Sequence, residues 1–507
     1  MRPDPLLAGS LPTPSPGSGP VVARLFDRLL AAVFLVAWLS LGAQIDVLAG
    51  ARGLLPAAPW AASVRAAGAS FLDAPSLFVR LGASDAALHA GVAAGVVLAL
   101  LALAGVAPRV CFGVGTVLYL SYAIACRTFL GFQWDNLLIE CGALATLLPR
   151  DRRARWAHVL FRVLLFKLYF ESGLAKWGSP LHDWQDGSAM TFYYETAPLP
   201  ARLAWYAHGL PAAWHHFESW FTLFFELVVP FAIFGPRRLR LGALAIFTGF
   251  QVVDLATANY GFFCYLALAL HVFLLDDEDV ERVRRWARRN GDRTGGGSDR
   301  PRAAASACAR LSDLARRWDR PWVRRAAAGA VVGAYLVASL ADAIGNFAAE
   351  PSLVAAVEPL RRVLAPFRVV NTYHLFGAIT RERVEPELQT FDGVSWTAHD
   401  LRHKPGAVGR APDLVAPHQP RVDFQLWFYG LSYRRGAPPY VAALLERACH
   451  EPGVIQGLFA EALPAAPAVV RMAFYRYRFT TGEERRATGA WWKRELLEVS
   501  RQVGCGG

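Results

Sequence analysis

The sequence predicts a polytopic α-helical membrane bundle of eight or nine spans, followed by a β-rich α+β soluble domain. Three observations predict it. The 507-residue chain is 54% hydrophobic and only 19% charged, with a positive mean hydropathy, a balance that soluble domains of this length rarely show. Apolar runs of bilayer or near-bilayer length recur at 29–48, 88–107, 110–130, 133–149, 158–176, 219–235, 239–258, 261–275 and 326–345. From about residue 366 the helical pattern gives way to alternating apolar and polar residues rich in Val, Thr, Phe, Tyr and Trp.

The elements follow in order. Residues 1–23 are rich in Pro, Gly and Ser and are expected to be disordered. The apolar run after them is longer than a signal-peptide core, so it reads as an uncleaved first span of a main bundle over 24–275. Residues 276–325 form a basic loop around RTGGGSDRPRAAAS, a Gly/Ser/Arg-rich linker, and 326–345 is the last span. Orientation comes from arginine: PRDRRARW (149–156) holds four, PRRLR (236–240) three and 276–325 fourteen, whereas 178–217 holds only Arg202. Nine spans put all the basic connectors on the cytoplasmic side, and 178–217 with everything after 346 on the other. The net charge of +12 is thereby a topology signal and not a nucleic-acid footprint.

The domain at 346–507 is expected to be extracytoplasmic. FRVVNTYHLF and ELQTFDGVSWTAHDLRHK read as strands, with Asp392-Gly393 as a hairpin turn. PPYVAALLERAC and VIQGLFAEAL read as short amphipathic helices, and VVRMAFYRYRFTT as a further strand. Four of the seven cysteines lie in apolar runs and pack as small hydrophobes. A Cys449–Cys505 disulfide can form if that region faces an oxidising compartment, and the sequence does not show whether the two are close.

Acids inside the spans are the main candidates for function, since each costs about 2.5–3.5 kcal/mol in a membrane unless partnered. Asp135, Glu140, Lys167, Glu226 and Asp254 are read as an intramembrane polar network, either structural or lining a pocket. Lys167 and Glu171 are one helical turn apart and can pair; Lys176 is placed to snorkel to the interface. Gly173 between them opens room for a neighbouring helix. His182 and Asp183 suit a cavity rim or a cap. His215 and His216 are adjacent and point apart on a helix, so they make no joint metal site. In APHQPRVDFQLWF the alternation of His418, Gln419, Arg421, Asp423 and Trp427 suggests a polar groove that meets clients. No zinc-like spacing, nucleophile elbow, Walker or Rossmann glycine pattern occurs, and neither metal nor cofactor is expected.

Several strings taken together resemble the lipase maturation factor family: FQWDNLLIECG (132–142), YFESGLAKWGSPLHDWQDGSAMTFYYETAPLP (169–200), TANYGFFC (257–264), FRVVNTYHLFG (367–377), APHQPRVDFQLWF (416–428) and FYRYRFTT followed by WWKRE. They run in order over roughly 130–495. The resemblance implies a multi-span protein with a lumenal C-terminal domain that assists the folding and assembly of secreted lipases. Its partners would be secreted client proteins and membrane lipids. The compact, Arg- and Ala-rich chain without a retention tail points to a bacterial-type member, in the bacterial inner membrane, or in the endoplasmic reticulum if eukaryotic. The string around YFESGLAKWG also resembles the membrane domain of vitamin K-dependent carboxylase. That resemblance implies an alternative, an enzyme acting on a lipid or quinone with Lys176 as base and Glu171 beside it.

Overall fold

The computed structural model describes residues 20–148, 156–291 and 321–506. The segment before residue 20, most of the basic connector 149–156 and the glycine-rich linker lie outside the described residues. Within them, the helices used below are α1 (Pro20–Gly42), α2 (Asp85–Ala104), α3 (Pro108–Ala125), α4 (Gln133–Ala145), α5 (Trp156–Trp177), α6 (Ala212–Leu227), α7 (Arg237–Thr257), α8 (Phe263–His271), α9 (Asp277–Gly291), α10 (Pro321–Phe347), α11 (Pro351–Leu364), α12 (Arg421–Ser432) and α13 (Pro439–His450).

Among the described residues, six helical stretches are both long and apolar enough to cross a membrane: Pro20–Gly42, Asp85–Ala104, Pro108–Ala125, Ala212–Phe234, Arg237–Thr257 and Arg325–Phe347. The other three apolar runs also fold as helices. Two of these, α4 and α8, are short, and α5 carries Arg162, Lys167, Glu171 and Lys176.

Apolar side chains gain little by leaving lipid, so close backbone approach and polar contacts must hold such a bundle together. Gly95 on α2 receives the Trp38 ring of α1; a Cβ there would lie 2.2 Å from it. Gly173 on α5 receives α6, where a Cβ would lie 2.9 Å from the Cβ of Glu226. Stacked Phe161 and Phe273 (4.4 Å), with Phe26 against both, join α5, the turn after α8 and α1.

The two ends of the bundle differ. At one, the Asp277 carboxylate accepts the free Val21 and Val22 N–H groups of α1 (3.1 and 2.9 Å), and Arg240 pairs with Asp276 (2.8 Å). At the other, residues 178–208 lie under the C-terminal domain: Arg383 donates to the Glu195 and Pro198 carbonyls (3.0 Å each), and Trp205 Nε1 to Thr480 O (2.9 Å).

That domain is an antiparallel sheet in the order β2-β1-β3-β4, with β5 (Val503–Gly504) also on β3. Its strands are β1 (Arg383–Phe391), β2 (Trp396–His399), β3 (Val469–Phe479) and β4 (Trp492–Val499). The expected hairpin forms: Asp392 Oδ1 accepts from Val394 and Ser395 N–H (2.7 Å each), and Gly393 takes φ +102°. Cys449 and Cys505 are disulfide-bonded, tying α13 to β5.

Three local expectations fail. Residues 421–432 form a helix, because Val422, Leu426 and Tyr429 bury one face at helical spacing behind Pro420. Only 454–458 of VIQGLFAEAL is helical. FRVVNTYHLF joins no sheet, because the bundle's side chains take the hydrogen bonds a neighbouring strand would have taken.

Candidate functional site

The buried charges of the bundle fall into two clusters. In the first, Asp135 on α4 receives Arg421 from the C-terminal domain through both oxygens (2.6 and 2.8 Å), and the Tyr119 hydroxyl as a third donor (2.6 Å). One helical turn on, Glu140 collects five donors: Lys167 Nζ (3.0 Å), the Tyr335 and Tyr373 hydroxyls (2.6 and 2.7 Å), and the main-chain and side-chain N–H of Asn371 (3.1 and 2.9 Å). Glu171 accepts the Tyr373 N–H (2.9 Å). Lys167 thus pairs with Glu140 and not with Glu171. Four of these nine donors come from 368–379, a segment that also sends Arg368 to the Leu130 and Ala123 carbonyls and Ile379 N–H to Asp183.

In the second cluster each acid has one donor. Glu226 on α6 receives Lys176 Nζ (2.9 Å), and Asp254 on α7 receives the Tyr193 hydroxyl (3.2 Å). Lys176 does not snorkel. It is buried, donates to the Leu375 carbonyl (2.9 Å), and lies 5.3 Å from the Trp184 ring. These groups line one end of a cavity of about 430 Å³ between α5, α6 and α7. Phe217, Phe221, Phe225, Ile246 and Phe250 make much of the rest of its wall apolar, with Ser172, Glu218 and Thr222 also on it. Glu171 is not part of that wall.

The residues read as a client groove are placed otherwise. Gln419, Arg421 and Asp423 are buried. His418 Nδ1 is 3.0 Å from the Ser40 hydroxyl, Gln44 receives the Arg421 N–H, and Trp427 Nε1 donates to Thr196 O (2.9 Å). Gln419, Arg421 and Asp423 have no surface to offer a client; Gln419 and Arg421, with His418 and Trp427, fasten the domain to the bundle, whereas Asp423 is held inside the domain. Burial raises the Asp423 carboxyl to about 6, against the pull of Lys404, and the His403 N–H is its donor at 3.2 Å. His215 pairs with Glu218 (3.1 Å). Among the described residues no group of three or more His, Cys, Asp or Glu is arranged to hold a metal.

Tyr119, Tyr335, Arg368, Asn371 and Tyr373 were missed as members of these clusters. The available signal was the lack of enough donors within the spans for Asp135 and Glu140, which required a donor-rich segment from elsewhere.

The family model for the lipase maturation factor transmembrane domain matches residues 21–282, and that for the lipase maturation factor C-terminal domain matches 369–501. The chain belongs to the lipase maturation factor family. It is 30% identical to lipase maturation factor 2 of Gallus gallus, over 94% of this chain and 80% of that protein. To lipase maturation factor 1 of Bos taurus it is 30% identical over 93% and 86%, and to lipase maturation factor 2 of Homo sapiens 28% over 94% and 81%. No solved structure matches the chain. The first family model ends just inside α9 and the second begins at the segment that seals Glu140, so the two matched regions are those that the buried Arg421–Asp135 ion pair and the Asn371–Glu140 hydrogen bonds join.

Proposed function

We propose that the chain is a membrane-anchored maturation factor that assists the folding or assembly of secreted lipases. One observation carries this reading: both halves of the chain match the family in order, and relatives named for lipase maturation align along more than nine-tenths of it. The topology proposed with it has nine crossings, α4, α5 and α8 being the three that charge or shortness conceals, and a non-cytoplasmic C-terminal domain. Two features support that topology. The arginine-poor segment 178–217 touches the C-terminal domain, while the start of α1 and the basic turn before α7 meet at the opposite end. The Cys449–Cys505 bond belongs in an oxidising compartment.

The proposed client surface is the sheet edge β4, where Leu496 is exposed and, among the described residues, the backbone has no partner strand beyond it. No observation favours catalysis: Lys176 is engaged by Glu226 and Leu375, and Glu171 lies outside the cavity wall.

The test is co-expression of the full chain with a secreted homodimeric lipase in cells lacking their own factor, reading lipase activity per unit of lipase mass in the medium. Specific activity should rise several-fold with the chain, and the Leu496→Arg variant should lose most of that gain at equal expression. Unchanged specific activity would overturn the reading, as would a C-terminal reporter found in the cytoplasm.

A further inference from the structure

The cavity between α5, α6 and α7 has a polar end whose groups are under-supplied with partners. Gln251 is buried and its amide nitrogen donates to the Tyr169 hydroxyl (3.2 Å), but its amide oxygen has no partner. Asp254 has one donor, and two carboxylates, Glu226 and Asp254, face a single cation, Lys176. Buried polar atoms are normally satisfied, so an open acceptor in a cavity wall points to a ligand. The surplus of carboxylate repels an anionic headgroup. A hydroxyl fits instead: it both donates and accepts, and so satisfies Gln251 whichever way its amide is turned.

The remainder of the cavity is mainly aromatic and aliphatic, with Ser172, Thr222 and the Tyr194-bound Glu218 also on its wall. α6 and α7 touch at Phe225 and Phe250 (4.4 Å), and the exposed Phe217 and Phe221 of α6 line the cavity together with Gly249 and Val253 of α7. At about 430 Å³ the space lies within the range of small-molecule sites, roughly 300–1,000 Å³, and suits one chain better than two. We infer that this cavity binds a neutral single-chain lipid with a hydroxyl headgroup, of the monoacylglycerol class, its headgroup at Gln251 and Asp254 and its chain leaving between α6 and α7. The inference does not rest on the client reading, because binding is measured without a lipase.

Gly249 provides the test. A Cβ at that position meets nothing within 4 Å, so a large side chain enters the opening without displacing backbone. Gly242 on the same helix is equally open but does not line the cavity, and serves as control. The full-length protein in nanodiscs would be photolabelled with a diazirine-bearing monooleoylglycerol. Labelling is expected on α6 and α7 peptides, competed by monooleoylglycerol and not by oleate or lysophosphatidate. Gly249→Phe should reduce it at least tenfold with an unchanged unfolding midpoint, and Gly242→Phe should not. Gln251→Leu should weaken it by about two- to tenfold, the worth of one hydrogen bond. Equal labelling of Gly249→Phe, or equal competition by oleate, would overturn the assignment.

Discussion

The bundle holds two groups of buried charge built from the same residue types, and they are finished differently. Around Asp135 and Glu140, three and five donors converge, and the segment 368–379 with Arg421 closes the site from the C-terminal domain. Around Glu226 and Asp254 each acid has one donor and borders open space. A fully satisfied buried network fixes one packing, whereas a partly satisfied one awaits something. In this protein the first group acts as a joint between two domains and the second as the wall of a site, though both look alike as acids in apolar helices.

The largest effect should come from breaking the joint. Arg421→Met leaves Asp135 buried without its cation, which typically costs about 3–5 kcal/mol. We expect a pronounced drop in the thermal midpoint in detergent, with the C-terminal domain becoming protease-sensitive first. Arg421→Met combined with Asp135→Leu should recover most of the loss, because the penalty lies in the orphaned charge. If the single variant is as stable as wild type, the joint is not what holds the domains together.

The same substitution in the open group sharpens the contrast. Lys176→Met removes the one donor of Glu226, but the adjoining cavity admits water to replace it, so the loss should stay under about 2 kcal/mol. Thermal unfolding of Lys176→Met and Arg421→Met side by side is the measurement. Equal losses would erase the distinction between the groups.

Much of this was legible in the sequence, for physical reasons that also mark where reading stopped. Every apolar run became a helix because length and hydropathy are local properties, and Asp392-Gly393 became a turn because turn chemistry is local too. Asp135, Glu140, Lys167, Glu226 and Asp254 stood out because a charge in an apolar run is costly wherever it lies. Their partners are 16 to 286 residues away, and no periodicity encodes such distances. Hence Lys167 was matched to Glu171 one turn along, and Arg421 was read as a surface residue. The cavity was invisible for the same reason, since it is the space left where α6 and α7 separate.

The smallest expected effect lies outside both groups and serves as their control. Burial lowers His403 to about 4, and its Nδ1 has no hydrogen-bond partner. In the unfolded chain a histidine binds its proton near pH 6.5. Between those values the unfolded state takes up a proton that the folded state refuses, so this contribution is fully present above about 6.5 and is lost as the pH falls toward 4. Asp423 acts in the opposite sense: raised to about 6, it favours the folded state at low pH and loses that contribution as the pH rises from about 4 to about 6. The two partly cancel, which keeps the net slope shallow. His403→Asn removes only the first, so its unfolding midpoint should drop less than that of wild type on going from about pH 6.5 to 4.5. Identical drops would mean that the acid sensitivity of the C-terminal domain resides elsewhere, and the joint at Asp135 and Glu140 would become the first place to look.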